Sequence, residues 1–340
     1  MTEHTLSDLG WSEHFARQLE ADDTSVPARI RAVNRRDVEG LSETGPMTLV
    51  TPEETGTYAV GDWVLTDGGR VTRLLERTTL IQRRAAGHEA KGQLIAANVD
   101  TLAIVTSCNA DFNPARLERY LAMAAAAGCL PLIVLTKADQ SDDPEQYRKQ
   151  AEALSPLVTA LAIDARDAEE VERLIPWCRN GQTLALVGSS GVGKTTIQNV
   201  LTGINEATQG IREDDAKGRH TTTARALRPT LYGGWLIDTP GMRELRLSDA
   251  AEGIDAVFSD LAELALTCRF SDCQHETEPG CAIQAAIEIG DLEPERLKRW
   301  QKLQREEQYN TETIAESRAR YRKLNKMYHE GKKRGVSKRH

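Results

Sequence analysis

The stretch Thr183-Leu184-Ala185-Leu186-Val187-Gly188-Ser189-Ser190-Gly191-Val192-Gly193-Lys194-Thr195-Thr196 decides the fold. An apolar, strand-like run leads into G-x-x-x-x-G-K-[ST], and a helix-like segment, Thr195–Leu201, leads out of it. That context is what a phosphate-binding loop needs. Its glycines let the backbone curl until N–H groups face phosphate oxygens. The helix N-terminus adds a favourable dipole. Lys194 is placed to neutralise the β- and γ-phosphates, and Thr195 to ligate Mg²⁺. The nucleotide-binding candidates in this stretch are Gly188, Ser189, Ser190, Gly191, Val192, Gly193, Lys194, Thr195 and Thr196.

Working outward, apolar runs recur at Leu102–Val105, Leu132–Leu135, Val158–Ile163, Leu184–Val187 and Trp235–Ile237. Helix-like segments separate most of them. One is Pro114–Ala127, with Asn113 as N-cap and Pro114 at the first helical position. Strands alternating with helices predict a parallel sheet covered on both faces. Upstream, residues 6–20 read as a short amphipathic helix. From Ser25 to about Ile81 come short alternating runs, Ala28–Val33, Met47–Val50, Gly61–Thr66 and Arg70–Leu75, punctuated by Asp67-Gly68-Gly69. They predict a small antiparallel barrel or sandwich. Beyond about Leu245 the chain reads as helical and polar, ending in a long charged run from Pro294 to Lys333.

Three further segments bear on the base. Thr136-Lys137-Ala138-Asp139 follows the run Leu132–Leu135 and resembles the N/T-K-x-D signature of the GTPase superfamily. In that signature the Asp accepts two hydrogen bonds from guanine, a pair that adenine cannot supply. Asp238-Thr239-Pro240-Gly241 resembles D-x-x-G, with Asp238 reaching Mg²⁺ through water and the Gly241 N–H reaching the γ-phosphate. Thr221-Thr222-Thr223 offers a switch threonine for Mg²⁺, for which Thr222 is chosen. A guanine-stacking loop is expected near Asp164-Ala165. Thr136–Asp139 precedes Gly188–Thr195, which precedes Thr221–Thr223 and Asp238–Gly241. An ordinary GTPase carries its phosphate loop first, so this order is circularly permuted.

The chain has 340 residues, which at roughly 150 per domain predicts about two domains. It is 40% hydrophobic and 28% charged, which excludes disorder as its main state. The longest stretch without a polar side chain, Leu121–Leu135, falls short of the ~20 residues of a membrane span. No signal peptide or membrane anchor is expected, and the expected compartment is cytoplasmic. The net charge of −8 hides an asymmetry: residues 318–340 carry ten Lys or Arg against the one acid Glu330. A basic tail on an acidic body is a layout of proteins that touch nucleic acid. Cys108, Cys129 and Cys178 stand apart in apolar sequence and read as buried thiols. Cys268, Cys273, His275 and Cys281 are clustered. Three thiolates and one imidazole make a closed tetrahedral set, which predicts one structural Zn²⁺.

A permuted GTPase behind a small barrel and ahead of a Cys/His cluster resembles the bacterial ribosome-biogenesis GTPase family RsgA (YjeQ). Carrying the resemblance are Gly61-Asp62-Trp63-Val64, Thr136–Asp139, Gly188–Thr195, Gly218-Arg219-His220-Thr221-Thr222-Thr223, Asp238–Gly241, Cys268–His275 and Glu278-Pro279-Gly280-Cys281. It implies a multidomain α/β protein. An N-terminal helical extension (1–24) precedes an OB-fold β-barrel (25–88). A circularly permuted P-loop GTPase domain (89–245) and a C-terminal α-helical zinc domain with the basic tail (246–340) follow. It implies that His220 orients the attacking water, since Met242 stands where other GTPases carry Gln. It further implies GTP and GDP as ligands, the 30S subunit and 16S rRNA as partners, release on ribosome-stimulated hydrolysis, no membrane, and a monomer. The barrel's Arg29, Arg31, Arg35, Arg36, Arg70 and Arg73 are the expected phosphate contacts. The alternatives are a permuted GTP-binding protein serving another RNA, a non-hydrolysing switch, and an ATP-using P-loop enzyme.

Overall fold

The computed structural model describes residues 4–20, 22–84, 92–156, 158–204, 225–238 and 250–308. It divides into two compact units, one within 1–82, 94–245 and 252–259, the other within 83–93, 246–251 and 260–340.

The first unit is organised by a long mixed sheet. Its parallel part consists of β8 (Thr101–Ser107), β9 (Leu130–Thr136), β10 (Thr159–Ala162), β11 (Thr183–Gly188) and β13 (Trp235–Asp238). These are the apolar runs expected from the sequence. β8 and β11 are buried along their whole length, as strands covered on both faces must be. Helices α2 (Pro114–Ala126), α3 (Pro144–Glu152) and α4 (Ala168–Val171) join consecutive parallel strands, and α5 (Lys194–Thr202) follows β11. The expected cap of α2 is present, with the Asn113 side chain accepting the Arg116 N–H at 3.0 Å. Strand order across the parallel part is β10-β9-β8-β11-β13, after which β12 (Ala226–Pro229) pairs antiparallel with β13. Cys108, Cys129 and Cys178 are buried here, and burial pushes their thiols up to about 11, about 12 and about 12.

The N-terminal strands are β1 (Val26–Val33), β2 (Val38–Ser42), β3 (Gly45–Leu49), β4 (Trp63–Thr66) and β5 (Val71–Leu74). β1 pairs with both β2 and β4, β2 with β3, and β4 with β5, all antiparallel. A parallel bridge between Val50 and Arg70 closes the ring, with N–H to carbonyl bonds Val50 to Gly69 (3.0 Å) and Val71 to Val50 (2.9 Å). Five strands closed in this way form a small barrel of the OB type. Its core is Ala28, Ile30, Val38, Leu49, Tyr58, Val64 and Val71. Strand β1 also pairs with β12 at Ala32↔Ala226, so barrel and parallel part share one sheet. Strands β6 (Leu80–Arg84) and β7 (Gly92–Ala97) form a separate pair.

Two expectations need correction. Residues 6–20 are not one helix: turns precede the four-residue α1 (Glu13–Ala16). Gly10 breaks the run with φ +87°, and a Cβ there would lie 2.7 Å from the Gly181 carbonyl and 2.8 Å from Arg29 Nη1. Nor is Arg29 a surface phosphate contact. It is 1% exposed and donates to the Leu9 carbonyl (2.7 Å), the Asn98 carbonyl (3.3 Å) and Thr183 Oγ1 (2.6 Å). Burial lowers its pKa to about 10, which still leaves it charged. Arg31, Arg35, Arg36 and Arg70 are exposed as expected, and Arg73 is half-buried. The Gly61–Val64 motif is structural. Trp63 packs edge-on to Trp11 at 4.8 Å. Asp62 accepts two bonds from Arg77 (2.6 and 2.7 Å) and one from the Ala59 N–H (2.7 Å).

The second unit holds α7 (Ser259–Leu266, all but its first residue), α8 (Ala282–Glu288) and α9 (294–308); α6 (Ala251–Val257) belongs mainly to the first. Among the described residues from 260 onward its buried apolar side chains are Leu261, Cys281, Ile283, Ala286, Leu292, Leu297, Trp300 and Leu303, a small set for a stable core. Among the described residues, no helix is long and apolar enough to cross a membrane.

Candidate functional site

The chain runs outward from β8 to β9 to β10, then returns to lay β11 beside β8. The order therefore reverses between β8 and β11, and in open α/β sheets the crevice at the carboxyl ends of such strands is the binding position. The register brings the candidates to that edge. Gly188 is opposite Val105, Thr136 is opposite Ser107, and Asp238 is opposite Leu186.

The phosphate loop leaves β11 at Gly188, whose φ is +142° and where a Cβ would meet the Val105 carbonyl at 2.0 Å. Only glycine fits. Gly191 and Gly193 also have positive φ, and Gly193 is the N-cap of α5, whose first residue is Lys194. Lys194 Nζ donates to the carbonyls of Gly188 (2.9 Å) and Ser189 (2.5 Å), so its ammonium arches over the loop it belongs to. Thr195 and Thr196 occupy the first turn of α5 and are half-buried.

Thr136 ends β9 and is fully buried. Its hydroxyl lies 2.6 Å from the Val192 carbonyl and 3.0 Å from the Thr106 carbonyl, tying the T-K-x-D turn to the phosphate loop. A threonine can thus lock the two motifs through a backbone carbonyl. Lys137 follows in the left-handed region (φ +57°), and Asp139 sits in the short 3₁₀ turn Ala138–Gln140. Beside it is the loop after β10, where Ala165 is buried and would touch a Cβ on Gly193 at 3.5 Å. This is the loop expected at Asp164-Ala165. The Asp164 N–H donates to Glu170 Oε2 at 2.8 Å, which shapes the turn.

Sequence reasoning missed Arg166 in this loop. Its Nη2 donates to Asp139 Oδ2 (2.5 Å) and Asp164 Oδ2 (3.1 Å), and its Nε to Asp164 Oδ1 (3.1 Å). Hydrogen bonding to Arg166 holds the Asp164 carboxyl below its ordinary range. The available signal was an arginine two residues beyond the start of the expected base loop. His220, Thr221–Thr223 and Gly241 lie outside the described residues, as does the basic tail 318–340; Asp238 is described in its backbone alone.

The metal candidates are brought together as expected. The ligand atoms of Cys268, Cys273, His275 and Cys281 all lie within 4.8 Å of one another. His275 Nδ1 is 3.6 Å from Cys268 Sγ and 3.5 Å from Cys281 Sγ, and the two sulfurs are 3.9 Å apart. A tetrahedron with Zn–S of about 2.3 Å has edges of about 3.8 Å, so the donors fit a metal ion. Burial favours the neutral imidazole, the form that ligates. A second layer holds the loop. Gln284 Nε2 donates to the His275 carbonyl at 2.5 Å, and the Trp300 ring lies 5.8 Å from the imidazole. Sequence reasoning quoted Glu278 within a motif but gave it no role; its carboxylate accepts from the N–H groups of Gln274 (2.8 Å), Glu276 (2.9 Å) and Thr277 (3.0 Å). Those bonds, the Gln274 one foremost, hold its carboxyl down at about 2.

Comparison with known proteins identifies the family. The sequence profile described as RsgA GTPase matches residues 74–248. The chain is 54% identical to the small ribosomal subunit biogenesis GTPase RsgA of Mesorhizobium japonicum, over 90% of this chain and 91% of that protein. It is 47% identical to the small ribosomal subunit biogenesis GTPase RsgA 2 of Vibrio parahaemolyticus, over 96% and 92%. Two crystal structures share the fold, each at 22% identity. YjeQ from Thermotoga maritima matches with TM-score 0.62 over 82% of this chain and 97% of its own. YloQ, a circularly permuted GTPase, matches with TM-score 0.57 over 84% and 96%. With its permuted motif order, phosphate loop and matches along most of its length, the chain belongs to the RsgA GTPase family of GTP hydrolases.

Proposed function

We propose that this GTPase is a late assembly factor of the small ribosomal subunit, docking on the 30S particle and its 16S rRNA with GTP bound and leaving after ribosome-stimulated hydrolysis. The observation that carries the reading is the joining of Thr136 to Val192, which sets the base-reading turn against the phosphate loop. The names of the relatives supply the ribosomal part.

In this reading Asp139 reads guanine, with Thr136 and Lys137 shaping its turn. Gly188–Thr196 cradle the phosphates, and the Lys194 ammonium leaves its backbone carbonyls for the β- and γ-oxygens. Thr195 and Thr222 hold Mg²⁺, which neutralises phosphate charge when bound. Asp238 would reach Mg²⁺ through water, and the Gly241 N–H would reach the γ-phosphate. His220 positions the attacking water. Cys268, Cys273, His275 and Cys281 hold one structural Zn²⁺. We divide the work among residues 1–24 as an extension, 25–88 as the barrel, 89–245 as the GTPase part, and 246–340 as the zinc part with its basic tail. Barrel arginines and the tail contact rRNA phosphates. The protein works as a cytoplasmic monomer.

The test is GTP turnover by the purified, zinc-replete protein, alone and with 30S subunits, with 50S subunits and ATP as controls. Slow turnover accelerated by 30S alone is expected, and His220→Ala should lose the acceleration. GTP turnover indifferent to 30S would keep the nucleotide reading and remove the ribosomal one.

A further inference from the structure

Guanine presents an acid with a planar fork: ring N1–H and the exocyclic N2–H₂, joined through one carbon. An arginine guanidinium presents the same pattern. In this chain an arginine already occupies the carboxylate that reads the base. Arg166 Nη2 lies 2.5 Å from Asp139 Oδ2, while Asp139 Oδ1 accepts no hydrogen bond among the described residues. The Arg166 side chain is 67% exposed and Asp139 28%, so the contact forms at the mouth of the site and has room to open.

We infer that Arg166 is a stand-in for the base, pairing with Asp139 in the nucleotide-free protein and leaving it when guanine takes both carboxylate oxygens. This rests on the reading of Asp139 as the guanine-binding residue. Departure requires breaking one bond only. Asp164 already accepts from Arg166 Nη2 (3.1 Å), Nε (3.1 Å) and backbone N–H (2.9 Å), and these bonds can keep the arginine parked beside the site. The stand-in keeps the acidic turn neutralised while empty, and apparent affinity for guanine nucleotides is lowered by the fraction of time that Asp139 is taken. For an exposed ion pair that fraction corresponds to about a two- to fivefold effect. A second consequence follows for salt. The pair is screened, so its competition fades as ionic strength rises.

The experiment is a titration of the full-length protein with fluorescent mant-GDP, comparing wild type, Arg166→Ala and Arg166→Gln. Both variants should bind about two- to fivefold more tightly at low salt, and the gain should shrink at high salt. A guanidinium that merely attracted the nucleotide's phosphates would give the opposite sign. Asp139→Asn supplies the control. Its amide can donate to the C2 carbonyl of xanthine, so this variant should prefer mant-xanthosine diphosphate, and adding Arg166→Ala should leave that affinity unchanged. Unchanged or weaker mant-GDP binding by both Arg166 variants, with the base preference of Asp139→Asn switched, overturns the stand-in alone. Retained guanine preference in Asp139→Asn overturns the reading of Asp139, and the stand-in with it.

Discussion

The two binding centres are built in opposite ways. The candidate nucleotide site gathers residues from Thr136 to Asp238 by placing strand ends along one edge, and two of the strands beneath it, β8 and β11, are buried along their whole length. The Cys₃His site is drawn from one short loop, Cys268–Cys281, flanked by a thin set of buried apolar side chains. The first is held by the hydrophobic core, whatever occupies it. The second brings four donors to distances that suit an ion better than one another. A site made by a sheet tolerates emptiness; a site made by a loop is stabilised by what it holds.

Metal removal is the strongest way to break that comparison. Structural zinc sites contribute about 10 kcal/mol or more to folding. Chelation, or Cys273→Ser, should therefore expose residues 260–308 to limited proteolysis and rapid hydrogen exchange. Binding of mant-GDP should change less than about twofold. Collapse of nucleotide binding would erase the distinction. Next comes Lys194→Ala, expected to lower GTP hydrolysis by about 100-fold or more while leaving the circular dichroism spectrum unchanged. A smaller effect is expected from Thr136→Val, which keeps the shape and removes the hydroxyl shared by the Val192 and Thr106 carbonyls. The loss of one buried donor should weaken GTP binding by up to about tenfold, read by the same fluorescence titration. The smallest concerns Glu278. Its carboxyl drops from an ordinary 4.5 to about 2, so its contribution is complete above pH 4.5 and fades as pH falls toward 2. Glu278→Gln should raise hydrogen exchange at Gln274, Glu276 and Thr277 at neutral pH, and the difference from wild type should vanish in acid.

What was legible in the sequence was local. The phosphate loop, the Asn113 cap and the four metal ligands each lie within a short span whose chemistry points one way. The parallel strands could be read because fully buried strands are continuous apolar runs. What escaped depends on distant partners. Residues 6–20 carry a helical pattern, yet their apolar side chains pack on Trp63, and Gly10 must bend beside Arg29. No reading of β1 alone shows that Arg29 points inward while Arg31 points out, or that Ala32 pairs with Ala226. Nor does Arg166 announce its carboxylate, which lies 27 residues earlier.

Arg29 has a consequence for synthesis. The shortest hydrogen bond its guanidinium donates is to Thr183 Oγ1, 154 residues further along the chain. At the ~5–20 residues per second of translation, the strand that carries it waits roughly 8 to 30 s for that partner. Until then a permanent cation faces a half-built interior, and an unpaired buried charge is strongly destabilising. The barrel is thus the first part to be made and among the last to be finished. On stalled ribosomes, nascent chains should gain protease resistance in the barrel only once residue 183 has cleared the exit tunnel, and Arg29→Met should bring that moment forward.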